Sequence, residues 1–183
     1  DDPQILKEAA KMAEDWGYDE INFNVGCPSP RVSSGNFGAV LMREPAKVAK
    51  CIESLKNNCS LPVTIKHRIG VDEEDSFNNL NNFVNEVANA GADRFTVHAR
   101  KAILKGLNPK QNRTIPPLKY DVVQKLKRIN PGLVIEINGG FTNIDQCIKA
   151  LNDFDGVMIG RSAYKHPLIW SDIDQKIYGN KIK

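Results

Sequence analysis

Five short apolar runs, each of three or four residues, alternate along the whole chain with longer runs that have helical spacing. The short runs have the length of β-strands, and the segments between them are long enough for crossover helices. Strands that are joined by helical crossovers lie parallel in a sheet. The pattern therefore predicts an α/β fold. The predicted strands are residues 21–24, 63–66, 95–98, 134–137 and 157–159.

Helix signals precede and separate these strands. The first helix begins at Asp1-Asp2-Pro3, where acidic residues precede a proline in the first turn, and Gly17 ends it. Glu44-Pro45 and Asp121 begin two further helices. Apolar residues at helical spacing indicate two more, within residues 77–88 and 144–151. No repeat or linker divides the chain, so one domain over residues 1–183 is expected.

Two architectures surround a parallel sheet with helices: an open doubly wound sheet and a (β/α)₈ barrel. Polar or glycine-rich residues follow every predicted strand, and barrel enzymes build their site from the ends of all strands. Five strands cannot close a barrel of eight, which usually needs about 250 residues. We therefore expect a partial TIM (β/α)₈ barrel made of the last five strands and their helices, without the first three strands. Its strands are expected to be apolar on both faces.

Composition excludes several classes of protein. Apolar residues make up 41% of the chain, without a run of about 18 that a membrane span would need. The cysteines form no C-x-x-C pair and no cluster with zinc spacing, so no metal site is expected and a reducing, cytoplasmic setting is favoured. The net charge of +3 is too small by itself to indicate nucleic acid. The cysteines are Cys27, Cys51, Cys59 and Cys147.

Glycines follow the last two predicted strands, in Asn138-Gly139-Gly140 and in Gly160-Arg161. Barrel enzymes often hold a phosphate at this place. Glycine lets the backbone approach an anion closely, and the guanidinium of Arg161 adds a charged donor. Tight turns from strand to helix would also explain the glycines. Their occurrence after two consecutive strands favours phosphate binding.

Lys66 and His98 each end a predicted strand. A lysine that faces a barrel mouth is a partly buried cation, which needs an anion nearby, and the reduced form of a flavin carries negative charge that such a lysine can stabilise. A solvated lysine and a core histidine are the alternatives. The position of both residues at strand ends favours contact with a flavin or a phosphate.

Cys27 lies between Gly26 and Pro28, directly after the first predicted strand. A cysteine is most often a small buried apolar residue, and Cys51 and Cys147 fit that description because they lie on apolar helical faces. The tight turn around Cys27 instead predicts a thiol that projects into the mouth. A thiol whose pKa lies near the working pH can act as a general acid.

A long basic segment follows the third predicted strand. The loop over residues 102–119 greatly exceeds the usual connection between strand and helix, and Asp121 is the only acid between residues 100 and 128. A solvated run of charge is one explanation, but a basic loop at an active-site mouth indicates a polyanionic substrate. The basic residues are Arg100, Lys101, Lys105, Lys110, Arg113, Lys119, Lys125, Lys127 and Arg128.

These segments resemble the tRNA-dihydrouridine synthases over essentially the whole chain. The sequence NVGCPS at residues 24–29 is similar to a core shared across that family. The pattern HARKA…LKGL…NRTIPPLKYD within residues 98–121 resembles the class that modifies positions 20 and 20a of the tRNA D-loop. Further similar segments are PVTIKHRIGVDEEDS, EINGG and GVMIGRSAY.

The resemblance implies a reaction and a set of site residues. Reduced FMN gives a hydride to C6 of a uracil ring, Cys27 protonates C5 as general acid, and NADPH reduces the flavin again. Asn24 and Arg68 face the uracil, and the target base leaves the tRNA fold to reach the flavin. The implied FMN contacts are Lys66, His98, Asn138, Gly139, Gly140, Gly160 and Arg161. The implied tRNA contacts are Arg100, Lys101 and Arg113.

Two other hypotheses stay open on the sequence. The family's first three barrel strands, with the flavin contacts that they carry, and its C-terminal helical domain are expected to be missing from this chain, so a catalytically incomplete RNA-binding fragment is one of them. A flavin barrel oxidoreductase that acts on a small molecule is the other, although a free base would need no polyanion-binding loop.

Overall fold

The computed structural model describes residues 2–33 and 35–179, which form five strands and the helices between them. The strands are β1 (Ile21–Val25), β2 (Val63–Arg68), β3 (Arg94–His98), β4 (Ile135–Asn138) and β5 (Gly156–Met158). The helices are α1 (Pro3–Asp15), α2 (Pro30–Ser33), α3 (Pro45–Lys56), α4 (Phe77–Asn89), α5 (Tyr120–Ile129), α6 (Ile144–Ala150), α7 (Arg161–Lys165) and α8 (Ile173–Tyr178). Short 3₁₀ turns cover Gly38–Arg43, Gln111–Arg113 and Pro167–Trp170.

The helix ends follow the chemistry of their residues. Asp2 caps α1, because its carboxylate accepts the backbone N–H of Gln4 over 2.8 Å. Gly17 ends this helix with a φ of +73°, a conformation that glycine adopts without steric cost. Ser76 caps α4 in the same way, since its hydroxyl accepts the N–H of Asn79 over 3.2 Å. Part of the sequence prediction for the first helix falls on Asp1, outside the described residues.

The five strands form one parallel sheet in the order β1-β2-β3-β4-β5. Each strand pairs with the next one in the chain, and this order contains no point at which the winding reverses. A doubly wound sheet requires such a reversal, so the order excludes that alternative. The predicted α/β class and parallel strands are confirmed.

The two faces of the sheet differ in character, so the prediction of strands that are apolar on both faces is wrong. On β2, Val63, Ile65 and His67 are buried in one direction, while Thr64 and Lys66 alternate with them. Side chains on a strand point alternately to opposite faces, which explains the pattern. The helices cover the apolar face, and the other, concave face is polar.

The apolar face and the helices form the main core, in which Phe83, Phe95 and Ile65 are among the largest fully buried side chains. The edge strands β1 and β5 are less buried than β2 and β3. Apolar side chains of α1, such as Ile5 and Met12, are also exposed, as is 75% of Trp16 at its C-cap. Within the described residues, the longest helices are too short and too polar to cross a lipid bilayer.

Polar contacts connect the strands on the concave face. The side chain of Asn22 donates to the Thr64 hydroxyl over 2.8 Å, and the Thr96 hydroxyl donates to the Glu136 carboxylate over 2.7 Å. Arg94 adds an ion pair with Glu136 at 3.1 Å. These bonds satisfy the polar groups beneath the strand ends, so that a charged layer can be built above them.

Candidate functional site

A cavity of about 580 Å³ opens at the carboxyl ends of the strands, on the concave side of the sheet. Residues at or directly after the end of every strand line it. Eleven of the site residues expected from the sequence lie in this lining: Asn24, Cys27, Lys66, Arg68, His98, Arg113, Asn138, Gly139, Gly140, Gly160 and Arg161. Arg100 and Lys101 do not.

The lining of the cavity is basic. Lys66, Arg68, Arg113, Arg161 and Lys165 contribute to it, and none of the described residues that line it is an aspartate or a glutamate. Cations that converge without acids repel one another, and an anionic ligand removes that repulsion. The arrangement is therefore suited to binding an anion.

Lys66 lies two residues before the end of β2, and no hydrogen bond or ion pair joins its ammonium to any described residue. Burial lowers the pKa of Lys66, and the charge of Arg68 lowers it further. A buried ammonium without a partner is costly, so this side chain is a ready contact for an electron-rich or anionic group.

His98 is 9% exposed and ends β3. Burial lowers the pKa of His98 to about 3, and the nearby charge of Arg68 is the next largest cause. The ring is therefore neutral at physiological pH. A neutral imidazole has one donor and one acceptor nitrogen, and it adds no further charge to the basic cavity.

The Asn138-Gly139-Gly140 turn packs against His98 and the basic loop. Gly139 and Gly140 have φ values of +120° and +82°, which side chains rarely allow. A Cβ at Gly139 would lie 2.9 Å from Cδ2 of His98, so glycine is required here for space as well. Asn138 donates its amide to the Met158 carbonyl over 2.8 Å, and Tyr120 donates its hydroxyl to the Gly139 carbonyl.

The Cys27 thiol is half-buried in the turn that follows β1. Asn24 shapes this turn, because its side-chain oxygen accepts the N–H of Gly26 over 3.0 Å. The backbone carbonyl of Cys27 accepts the N–H of Ala39 over 2.9 Å. A Cβ at Gly38 would lie 2.5 Å from that same carbonyl, so the close contact requires glycine.

Arg68 is a charged residue that is only 3% exposed. Its Nε donates to the Gly26 carbonyl over 2.9 Å, and its Nη1 donates to the carbonyls of Lys101 and Asn112 over 3.1 and 3.0 Å. Nη2 has no hydrogen bond to a described residue. Burial lowers the pKa of Arg68 to about 10, and the charge interaction with Cys27 opposes that shift. The guanidinium therefore lies within electrostatic range of the thiol.

The basic loop, residues 102–119, is tied across the mouth by arginines. Arg68 holds the carbonyl of residue 112, and Arg161 donates to the Arg113 carbonyl over 3.1 Å. Arg100 donates to the Thr114 carbonyl over 3.3 Å and also to the Pro116 carbonyl. Two arginines that were expected to contact ligands, Arg100 and Arg161, thus contact the loop itself in this structure.

Lys101 also contacts protein rather than the cavity. Its ammonium donates to the Asp72 carbonyl over 2.8 Å and forms an ion pair with Asp75 at 3.2 Å. The sequence prediction that Arg100, Lys101 and Arg113 meet RNA stays a prediction. Of these three residues, Arg113 is the one with an exposed side chain at the cavity.

Sequence reasoning missed several residues of this region. Pro109, Phe141, Met158 and Lys165 line the cavity, and Asn112 is fully buried beneath the loop. The alternation of polar and apolar residues in Ile135-Glu136-Ile137-Asn138 was a usable signal for the polar face. Among the residues that the structure describes, no three His, Cys, Asp or Glu side chains cluster in a way that could hold a metal ion.

A sequence model of the family described as dihydrouridine synthase matches residues 1–183. The chain belongs to the dihydrouridine synthase family. This match confirms the resemblance that was identified on the strand-end motifs.

Relatives of this chain include two proteins named tRNA-dihydrouridine(20/20a) synthase. The one from Synechocystis sp. is 57% identical and the one from Pseudomonas putida is 51% identical. Each alignment covers 97% of this chain and 53% of the relative. The chain thus spans about half the length of the curated relatives that it matches.

Among solved structures, a dihydrodipicolinate synthase from Agrobacterium tumefaciens is similar to this chain, with a TM-score of 0.54. The similarity covers 86% of this chain and 48% of that one, at 11% sequence identity. At this identity the similarity concerns the fold alone.

Proposed function

We propose that this chain carries the catalytic site of an FMN-dependent tRNA-dihydrouridine synthase. This oxidoreductase reduces uridine to 5,6-dihydrouridine at positions 20 and 20a of the tRNA D-loop. The observation that carries the proposal is the basic cavity at the strand ends, which brings Cys27, Lys66 and the Gly139-Gly140 turn to one place without any acid among its described lining residues.

The residues of the cavity fit FMN. Gly139 and Gly140 line the cavity with backbone alone, and Arg161 and Lys165 supply positive charge to the same lining. The Ser162 hydroxyl is buried and has no partner among the described residues, so it is free to donate to a phosphate oxygen. We assign the phosphate to Gly139, Gly140, Gly160 and Arg161, and the ring system to Lys66, His98 and Asn138.

FMN, when bound in its reduced form, supplies the hydride that C6 of the uracil ring receives, and NADPH is the proposed source of those electrons. Cys27 gives the proton that C5 requires, because its half-buried thiol stands in the cavity beside the guanidinium of Arg68. Asn24 Nδ2 and Arg68 Nη2 have no protein partner among the described residues, which leaves them to orient the uracil edge.

We further propose that the substrate is tRNA, which Arg113 and the basic loop meet at the mouth. Recognition is electrostatic there, because Arg113 is exposed and lies beside Arg161 at a cavity without acids. The target uridine leaves the RNA stack to enter the cavity. Arg100 and Lys101 support this loop from within. The setting that suits such an enzyme is the cytoplasm.

The fold proposal is a barrel. The sequential, all-parallel order of five strands and their uncovered edges support an arc that holds the last five strands of an eight-stranded (β/α)₈ barrel. The relatives are about twice as long as the aligned region. We assign the first three strands and a C-terminal helical domain to regions outside these 183 residues.

The test is made on the full-length enzyme. We expect a flavin absorption spectrum after purification, and dihydrouridine in tRNA transcripts incubated with NADPH. Bound flavin with reduction of a free pyrimidine but not of tRNA would favour the small-molecule oxidoreductase. Binding of tRNA without flavin would favour the RNA-binding fragment, and either result would contradict the proposal.

A further inference from the structure

Asn112 is fully buried within a loop whose neighbouring residues are exposed. Its exposed fraction is 0%, while Gln111 and Arg113 on either side lie at the surface. A buried amide is unfavourable unless all of its polar atoms find partners. The contacts of Asn112 therefore reveal what the loop requires of it.

The side chain of Asn112 closes the loop on itself. Its Oδ1 accepts the N–H of Ile103 over 2.8 Å, and its Nδ2 donates to the Ile103 carbonyl over 2.8 Å. Nδ2 also lies 3.2 and 3.4 Å from the carbonyls of Leu107 and Asn108. The amide thus accepts from and donates to the backbone of one residue, Ile103, as a residue of a neighbouring β-strand does in a hydrogen-bonded pair. An aspartate lacks the donor and an alanine lacks both groups.

The backbone around Asn112 is held from two further directions. Arg68, at the end of β2, donates to the Asn112 carbonyl over 3.0 Å. Arg161, the first residue of α7, donates to the next carbonyl along the chain, that of Arg113, over 3.1 Å. The backbone of Arg113 is therefore held from both sides of the cavity, and its exposed side chain is part of the cavity lining.

We propose that Asn112 is a positioning residue: its buried amide holds the Arg113 guanidinium over the cavity, and so sets the affinity for the polyanionic substrate. The proposal rests on the proposed function, because tRNA is the polyanion. Asn112 contacts neither cofactor nor substrate, since the polar atoms of its side chain form hydrogen bonds within the loop. A pre-positioned arginine loses less conformational freedom on binding than a mobile one does.

The test compares Asn112→Ala with wild type in the full-length enzyme. We expect the KM for tRNA to rise about tenfold with kcat within about twofold, since a lost binding contact acts on the ground state and the transition state alike. The slope of log affinity against log salt should fall by about 0.7–0.9, the change expected from one lost phosphate contact. FMN content should be unchanged.

Two controls isolate the role of position. Gln111→Ala removes one exposed hydrogen bond of the same loop, from the Asn108 N–H to the Gln111 side-chain oxygen, and we expect it to leave KM and the salt slope unchanged. The double variant Asn112→Ala/Arg113→Ala should bind tRNA no more weakly than Arg113→Ala alone, because a positioning residue has nothing left to position.

Other outcomes would overturn the proposal. A purely structural role predicts a lower kcat and melting temperature with an unchanged KM and salt slope, and additive effects in the double variant. If Asn112→Ala does not fold, Asn112→Ser retains one hydrogen-bonding group and should give an intermediate salt slope. If the wild-type enzyme makes no dihydrouridine, the proposed function fails, and binding of these variants to a single-stranded RNA at graded salt still decides the role of Asn112.

Discussion

Nε of Arg68 donates to the backbone carbonyl of Gly26 over 2.9 Å, and the thiol-bearing residue Cys27 follows that carbonyl directly. The end of β2 therefore fixes the turn that carries the thiol. Because Nη1 of the same guanidinium donates to the carbonyls of Lys101 and Asn112, one side chain links the turn that carries the thiol to the basic loop.

Cys27→Ala in the full-length enzyme should lose most turnover and keep its FMN and its tRNA affinity. Loss of a general acid typically costs about 10²–10⁴-fold in rate. Reduction of the flavin by NADPH should proceed at the normal rate, while its reoxidation by tRNA slows, which stopped-flow absorbance measures directly.

The matched control is Cys59→Ala, which removes the other half-buried cysteine; its thiol donates to the Leu55 carbonyl, far from the cavity. We expect normal turnover from it. If Cys27→Ala turns over normally and His98→Ala does not, the proton comes from His98 instead.

Gly139→Ala should destabilise the protein and weaken FMN retention together. The new methyl group would meet Leu118 at 2.8 Å and His98 at 2.9 Å, at a φ of +120°. Backbone strain of this kind costs on the order of 1–3 kcal/mol. Urea denaturation and the ratio of flavin to protein would measure the two effects.

Gly132→Ala provides the comparison, because nothing lies within 4 Å of a Cβ at that position and its φ is not in the left-handed region. It should leave both quantities unchanged. Equal effects from the two substitutions would show that the Gly139 turn has no special role.

Arg161→Ala should raise the dissociation constant of FMN. A charge-assisted contact contributes about 1.5–3 kcal/mol, which corresponds to a change of about 10- to 100-fold. Fluorescence titration of the apo-enzyme with FMN measures it. Arg128→Ala removes an exposed arginine of α5 and should have no effect. Similar FMN affinities in both variants would contradict the phosphate assignment.

Arg113→Ala and Lys101→Ala should differ in their salt dependence. Arg113 is exposed at the mouth, so its loss should lower the salt slope of tRNA binding by about 0.7–0.9. Lys101 is paired with Asp75, so its loss should lower the stability of the loop and leave the slope unchanged. A reduced slope in the Lys101 variant alone would reverse the assignment.

Folding stability should decrease as the pH falls below about 6.5, partly because of His67. This ring is fully buried between Phe83 and Phe95, and burial lowers its pKa from 6.5 to about 4. The unfolded chain therefore takes up a proton at a higher pH than the folded protein does. Each such group contributes at most about 1.4 kcal/mol per pH unit to the slope of the unfolding free energy against pH, in the range between its folded and unfolded pKa values.

His67→Leu should reduce that slope by the contribution of one proton, measured by urea denaturation from pH 6.5 to 4.5. His166→Ala, at an exposed histidine, should not change it. An unaltered slope in His67→Leu would mean that the buried ring takes no part in the acid sensitivity, and that other groups such as His98 account for it.

The strands and the site at their ends could be predicted from the sequence for a geometric reason. Apolar runs mark strands, and the carboxyl ends of parallel strands meet at one edge, so Lys66, His98 and Gly139 could be expected together. The ends of β1 and β2 were predicted too early. Val25 and Arg68 continue their strands. A charged residue such as Arg68 can be buried in a strand because carbonyls that are distant in the sequence accept hydrogen bonds from its guanidinium.

The contacts of the basic loop could not be predicted in this way. Arg100 bonds to carbonyls 14 and 16 residues further along the chain, and Asn112 bonds to Ile103 nine residues earlier. Those partners depend on the course of the whole loop, which has no periodic pattern. The charge of the loop was visible in the sequence. The sequence did not show that Arg68, Arg100 and Arg161 hold the loop while Arg113 is exposed.

The alternation of the two sheet faces has a consequence for how the gene tolerates mutation. Odd-numbered strand residues, such as Ile65 and Ile137, pack under the helices, while the even-numbered ones near the strand ends, such as Lys66 and Asn138, line the cavity. In a mutational scan, odd positions should affect protein abundance, and the even positions that line the cavity should affect tRNA modification at normal abundance. A single-codon insertion within β2 would exchange the two sets in the rest of that strand, because a shift of one residue turns each following strand side chain to the opposite face.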